Sequence, residues 1–261
     1  MICVFDCETI PDIELIRKTF DVNGDDKEAT KQALAIYEQT NGSTFLPLPF
    51  HKVVAISIVI ADDFGRFKEV KTSTGKDEKE KIERFLAIID KYNPRLISFN
   101  GRGFDLPMLL LRAMKYNLSC QAYFEQENQM INKTRWDNYR SRYSELFHLD
   151  LLDVLGNFGA ARALKLDTIC QMVGLPGKFD VSGEDVLHLY YEGKIDKIES
   201  YCESDVINTY LLYLKYELLK GNITLEEYRE LLSHMIEEFP KEREYAGIFL
   251  EFLKKESHGS Y

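Results

Sequence analysis

The sequence predicts an α/β fold: one mixed β-sheet flanked by α-helices, continuing into a helical C-terminal part. Three observations lead there. Apolar, β-rich runs of strand length occur at 2–5, 53–61 and 96–99. Helical spacing of apolar residues alternates with them, at 76–92 and again from Pro107 to about Lys115. From Lys194 onward, every remaining pattern is helical.

In chain order, residues 2–5 form a short buried strand. The stretch after it is polar and partly helical, with Ala29, Ala33, Leu34, Ile36 and Tyr37 marking a helix within 26–40. Leu46-Pro47-Leu48-Pro49 is held extended by its prolines. Residues 53–61 and the alternating run 67–72 flank the turn-forming Asp62-Asp63-Phe64-Gly65, so they pair as a hairpin. Ile82, Phe85, Leu86 and Ile89 define the helix at 76–92, which Asn93-Pro94 stops. A buried strand at 96–99 turns out through Asn100-Gly101, and Pro107 sits in the first turn of the next helix. Residues 117–146 are aromatic-rich and irregular; Trp136 within them suits a lid or a substrate wall, but core packing is the better expectation. Residues 147–149 suit a short edge strand, with Asp150 as a cap for the segment after it. An Asp-capped helix is expected at 167–173. A capping box at Ser182 to Asp185 precedes a helix at 186–191, and a long amphipathic helix covers 194–219. A second capping box, Thr224 to Glu227, opens a helix at 225–238; a final helix after Pro240 ends near Lys255.

The 261 residues, 45% hydrophobic and 29% charged, suffice for one well-buried core. No apolar run approaches membrane-span length, and Asp6 and Glu8 occupy the place of a signal-peptide core. The five cysteines form no Cys-x-x-Cys pair, which suits buried free thiols and a cytoplasmic location. A net charge of −10 argues against gripping long duplexes by electrostatics alone, yet is compatible with a site where metal ions neutralise phosphate locally.

Carboxylates cost free energy when crowded, so a chain that converges several usually does so around a hard cation. Asp6 and Glu8 lie two apart at a strand end and face the same side, while Cys7 between them points away and packs. Asp105 precedes a helix, where an acid is also favoured by the free N–H groups. Asn100 suits a turn or a substrate contact, and Phe104 suits the core or a base-stacking platform. Tyr201 and Asp205 are i and i+4 on one helical face, an arrangement that an amphipathic boundary would also produce. Asp150 and Asp153 are better explained as capping residues, His148 as structural, and Lys178 as part of a solvated turn.

Taken together, Asp6-x-Glu8, Asn100-x-x-x-Phe104-Asp105 and Tyr201-x-x-x-Asp205 resemble the three exonuclease motifs of the DEDD superfamily, and the tyrosine points to its DEDDy subgroup. Phe5-Asp6-x-Glu8-Thr9 and Asn100-x-x-x-Phe104-Asp105 look most like the proofreading 3′–5′ exonuclease domain of family B DNA polymerases. More closely still, the chain is similar to stand-alone bacterial exonucleases of that type. The resemblance covers about residues 1–216, and residues 217–261 are expected to pack on the same domain as a helical extension. It implies a ribonuclease H-like fold and two Mg²⁺ or Mn²⁺ ions. Asp6, Glu8 and Asp205 would hold one ion; Asp6 would bridge to a second that Asp105 binds largely through water. Tyr201 would orient the attacking water, and Thr9, Asn100 and Phe104 would contact substrate. The implied substrate is a single-stranded 3′ end of DNA. An RNA-trimming exonuclease and a non-catalytic end binder, or a module recruited to a polymerase or repair partner, are the alternatives.

Overall fold

The computed structural model describes residues 1–177, 183 and 185–259. The expectations for Lys178 and for Ser182 and Glu184 of the first capping box lie outside these residues.

Five strands form one sheet in the order β3-β2-β1-β4-β5. They are β1 (Ile2–Pro11), β2 (His51–Ala61), β3 (Phe67–Thr72), β4 (Arg95–Ser98) and β5 (His148–Asp150). β2 runs antiparallel to β1 and β3, whereas β4 is parallel to both β1 and β5. The fold is therefore an α/β, ribonuclease H-like mixed sheet with a largely helical C-terminal region. Between β1 and β2 lie α1 (Ile13–Thr19) and α2 (Asp26–Asn41); α3 (Glu78–Tyr92) and α4 (Asp105–Lys115) flank β4. The short α5 (Gln121–Phe124) is followed by α6 (Leu151–Leu155), α7 (Leu166–Met172) and α8 (Val186–Tyr191). The long α9 (Ile195–Leu219), α10 (Leu225–Glu238) and α11 (Ala246–Ser257) complete the chain. No helix among the described residues is long and apolar enough to cross a membrane.

Side-chain alternation along β1 builds both cores. Ile2 and Val4 face α9, joining Val59, Ile97, Val206, Ile207 and Tyr210. Cys3, Phe5 and Cys7 face α3 and α4, joining Ile82, Phe85, Leu86 and Leu109. Covering both faces is what makes these strands near-continuous apolar runs. Residues of α10 and α11, including Leu232, Met235, Phe249 and Leu253, extend the α9-side core.

Several local expectations change. β1 is ten residues long rather than four, because Asp6 and Glu8 continue the strand beside β2. Residues 48–50 form a 3₁₀ turn instead of extended chain. Helix α1 has no counterpart in the sequence expectations; Asp12 caps it by accepting from the Glu14 and Leu15 N–H groups. Asp167 lies inside the first turn of α7, whose N-cap is Lys165. Trp136 is 71% exposed rather than core-packed, since Tyr139 and Phe147 fill the interior beneath that segment. Helix α9 is buried nearly all round from Tyr201 to Leu214 rather than simply amphipathic, because it is sandwiched between the sheet and the last two helices. Its buried polar residues are matched. Glu203 accepts from Thr72, Arg243 and Tyr245, and Asn208 exchanges hydrogen bonds with the Gly177 backbone.

At the far end of β1, buried Arg112 of α4 is ion-paired with both Asp12 and Glu78. A buried pair of this kind specifies geometry more than it stabilises. Here it ties the end of β1 to α3 and α4, on the strand that carries Asp6 and Glu8.

Candidate active site: an acidic cluster at the end of β1

Pairing between β1 and β4 ends at Val4 and Ile97. Beyond that point β1 continues with only β2 beside it: Asp6 lies opposite Ser57, Glu8 opposite Ala55, and a bulge lies between Glu8 and Thr9. The overshoot leaves the β4 side of Asp6 and Glu8 open. Period-two geometry turns both side chains toward α9, as it does Ile2 and Val4.

Helix α9 meets them there. The Cys202 thiol donates to the Asp6 carbonyl oxygen at 3.5 Å, and Cys202 Sγ is 4.0 Å from Asp6 Oδ2. One possible ligand atom each from Asp6, Glu8 and Cys202 lies within 4.8 Å of the others. Burial, then the charges of Asp6 and Glu8, push the Cys202 thiol well above its usual range. It is thus a protonated donor to Asp6, and the hard carboxylate oxygens are the better ligands for a hard cation. Tyr201 and Asp205 flank Cys202 on the same helix and are hydrogen-bonded to each other. Burial, then the negative charges of Asp205, Glu8 and Asp6, raise the pKa of the Tyr201 phenol, so it keeps its proton.

Asp105 reaches the cluster from the opposite face of the sheet. It is the first residue of α4 and is 4% exposed. Burial drives its pKa up to about 7, while hydrogen bonds from its own N–H and from Cys7 oppose the shift. Cys7 accordingly packs on the α4 side, as expected, and also supports Asp105. Asp6 sits between the two groups. Burial comes first, then the charges of Asp105, Glu8 and Asp205, in raising its pKa well above the carboxylate range. The five residues Asp6, Glu8, Asp105, Tyr201 and Asp205 therefore share one electrostatic neighbourhood. A divalent cation would relieve its excess negative charge, and the carboxylates of Asp6 and Glu8 suit one.

The turn carrying Asn100 to Asp105 is clamped from β5. Asp150 Oδ1 accepts from the Asn100 N–H at 2.9 Å and the Leu152 N–H at 3.0 Å; its Oδ2 accepts from the Arg102 N–H at 2.7 Å. Asp150 thus caps α6, as expected, and also fixes the turn. Asn100 is left-handed, with φ of 68°. A Cβ on Gly101 would come within 2.5 Å of Ser98 Cβ, and one on Gly103 within 2.6 Å of the Asn100 side-chain oxygen. Gly101 is demanded by close approach rather than by flexibility, whereas at Gly103 only the end of the Asn100 side chain would have to move.

Sequence reasoning missed the aromatic wall beside this turn. Phe104 meets His51 edge-on at 4.9 Å and Phe45 at 5.4 Å, and Phe45 is 60% exposed. Burial lowers the His51 pKa, so the ring is neutral. Its Nε2 must donate to the Leu46 carbonyl at 2.9 Å, so its Nδ1 accepts from the Thr9 hydroxyl, also at 2.9 Å. The lone pairs of the Thr9 oxygen stay available to a ligand. Neither Phe45 nor His51 carries a local signal, since His51 lies across the α1–α2 excursion from Thr9, and Phe45 lies three strands and a helix before Phe104.

A model of predicted 3′–5′ exonucleases related to the exonuclease domain of PolB matches residues 43–256. The chain belongs to that family. The match covers Asp105, Tyr201 and Asp205 and begins after Asp6 and Glu8. Several DNA polymerases are also recognisable relatives. A DNA polymerase of Archaeoglobus fulgidus is 26% identical over 175 residues, covering 64% of this chain and 21% of the polymerase. A DNA polymerase of Thermococcus aggregans is 27% identical over 139 residues, 52% of this chain and 8% of that protein. The DNA polymerase catalytic subunit of elephantid herpesvirus 1 is 26% identical over 148 residues, 53% of this chain and 14% of the subunit. The chain therefore spans about a fifth or less of these relatives. Among solved structures, the family B DNA polymerase of Pyrobaculum calidifontis superposes with a TM-score of 0.50 at 17% identity, covering 90% of this chain and 29% of the polymerase. That likeness concerns the fold. Family membership supports 3′–5′ exonuclease activity in general, and the acidic cluster supports metal binding.

Proposed function

We propose that the chain is a divalent-metal-dependent 3′–5′ exonuclease that hydrolyses phosphodiester bonds at single-stranded 3′ ends of DNA and releases 5′-mononucleotides. The observation that supports this is that Asp6 and Glu8 of β1 share a ligand-sized group, and that the charges of Asp105, Glu8 and Asp205 all act on Asp6. Asp6, Glu8 and Asp205 would hold one Mg²⁺ or Mn²⁺, and Asp6 with Asp105 a second. Two such ions supply, when bound, activation of the attacking water and stabilisation of the leaving 3′-oxygen.

The chain's own residues supply position. Tyr201 retains its proton, so it orients the attacking water through its hydroxyl rather than removing a proton. Thr9, whose hydroxyl bonds His51, and Asn100, in the clamped turn, would hold the terminal nucleotide. Phe104 and the exposed Phe45 offer ring faces to an unstacked terminal base. The relatives' identity as DNA polymerases favours DNA over RNA as the substrate. Five buried free cysteines suit a reducing compartment, in keeping with a cytoplasmic enzyme.

The test is digestion of 5′-labelled oligonucleotides with Mg²⁺ or Mn²⁺, as single strand, blunt duplex and 3′-mismatched duplex, with RNA single strands in parallel. Unpairing costs a few kcal/mol per nucleotide, so free and mismatched ends should be cut at least about tenfold faster than blunt ends. Equal rates on all three, or products shortened from the 5′ end, would refute the proposal; faster digestion of RNA would reassign the polymer.

A further inference from the structure

A second feature adjoins the turn that carries Asn100 and Asp105. A cleft of about 440 Å³ opens on the far side of the clamped turn, lined by Asn100, Gly103, Arg142, Asp153, Gly159 and Leu164 among others. Arg142 belongs to its lining, and the loop leading to Arg142 pairs arginines with aromatic rings. The Arg142 guanidinium lies 5.9 Å from the centroid of the Phe158 ring, and Tyr143 meets Phe158 edge-on at 4.8 Å. Arg135 lies over Trp136 at 4.7 Å. The two groups are joined through the loop, since Ser144 donates to Asp137 at 2.7 Å. Trp136 is 71% and Tyr143 77% exposed. Two large rings thus stand exposed in one loop, each following an arginine in sequence.

The carboxylates along the cleft are already engaged, and Asp153 and Arg142 neutralise each other as an ion pair. Asp150 is engaged by the backbone N–H groups of Asn100, Arg102 and Leu152, and Asp153 by Arg142 at 2.7 Å. The exposed surface is thus made of ring faces, with the Arg135 guanidinium beside them. That combination fits a flexible polyanion with flat bases: rings stack on bases without regard to sequence, and arginines track the phosphates. Asn100 lines the cleft and also belongs to the turn beside Phe104, so the surface is continuous with the proposed 3′-end site.

We propose that the cleft and the Arg142–Tyr143–Phe158 and Arg135–Trp136 stacks form the track for the single strand upstream of its 3′ terminal nucleotides. This rests on the proposed nuclease function for its orientation, but its test does not depend on catalysis. Trp136 is the only tryptophan in the chain, so its fluorescence reports the track directly. Titrating the intact protein in EDTA with a 12-nucleotide oligothymidylate should quench it saturably, with an apparent affinity that falls as salt rises. Tyr143→Ala should weaken the strand's Kd about tenfold in the same titration. Trp136→Ala, read by anisotropy of a labelled strand, should do likewise, with circular dichroism confirming that both variants are folded. Absence of quenching, or unchanged affinity in both folded variants, overturns the track. Hydrolysis of thymidine 5′-monophosphate p-nitrophenyl ester by the unaltered protein with Mn²⁺ tests the cluster separately. Quenching without hydrolysis would keep the track and defeat the catalytic proposal; hydrolysis without quenching would do the reverse.

Discussion

Replacing Asp150 by alanine should loosen the turn that presents Phe104 and Asp105 while leaving every proposed metal ligand in place. Asp150 is 3% exposed and receives N–H groups from Asn100, Arg102 and Leu152 at 2.7–3.0 Å. Truncation orphans the two turn donors, at about 1–3 kcal/mol each, and removes the α6 cap, at about 1 kcal/mol. Part of that loss is returned, because burial outweighs the hydrogen bonds and holds the Asp150 pKa above its usual value. The carboxylate is itself costly to bury, so the net destabilisation should be about 3 kcal/mol. For a chain of this length each kcal/mol lowers Tm by about 2–4 °C, so the variant should melt about 6–12 °C below the parent. Thermal melts followed by circular dichroism measure this. At a temperature where the variant is still folded, exonuclease turnover on a single-stranded oligonucleotide should fall at least about tenfold, because a small misplacement of a positioned group is expensive. A Tm within about 2 °C of the parent, with turnover intact, would refute the claim that Asp150 holds the turn.

Three further outcomes are expected from the same geometry. Asp6→Asn should abolish most turnover yet raise Tm in EDTA, since a neutral isostere removes the crowding that raises the Asp6 pKa; near-parental turnover, or a lower Tm in EDTA, would contradict the assignment. Tyr201→Phe should lower kcat by up to about 100-fold with little change in strand binding, whereas unchanged kcat in single-turnover assays would make Tyr201 a packing residue. Buried His148 bonds Ser98 at 2.8 Å, and burial, then Arg102, depress its pKa well below 6.5. Its neutral form's contribution is complete above about pH 6.5 and is lost as pH falls below that value, by up to about 1.4 kcal/mol per pH unit. Between about pH 7.5 and 5.5, His148→Gln should therefore lose less stability in denaturant titrations than the parent does; identical slopes would show that His148 does not titrate on unfolding.

Local patterns carried much of this protein. The period-two placement of Asp6 and Glu8, the one-turn spacing of Tyr201 and Asp205, the Asn100–Gly101 turn and the Thr224–Glu227 capping box are all short-range facts, and short-range sterics and hydrogen bonding decide them. Element order and the mixed sheet were legible for the same reason. Helix α1 was not, because seven residues with one buried side chain, Ile16, leave almost no periodic signal. Nor was the exposure of Trp136, which depends on Tyr139 and Phe147 having already filled the space beneath it. Only the tertiary structure decided that β1 overruns β4, that Asp105 comes round from the α4 face, and that Cys202, His51 and Phe45 adjoin the site. Those are contacts between residues far apart in the chain, set by strand order and by which face each helix covers. The raised pKa values of Asp6, Asp105 and Tyr201 belong with them, since burial and the sum of neighbouring charges exist only once the chain has folded.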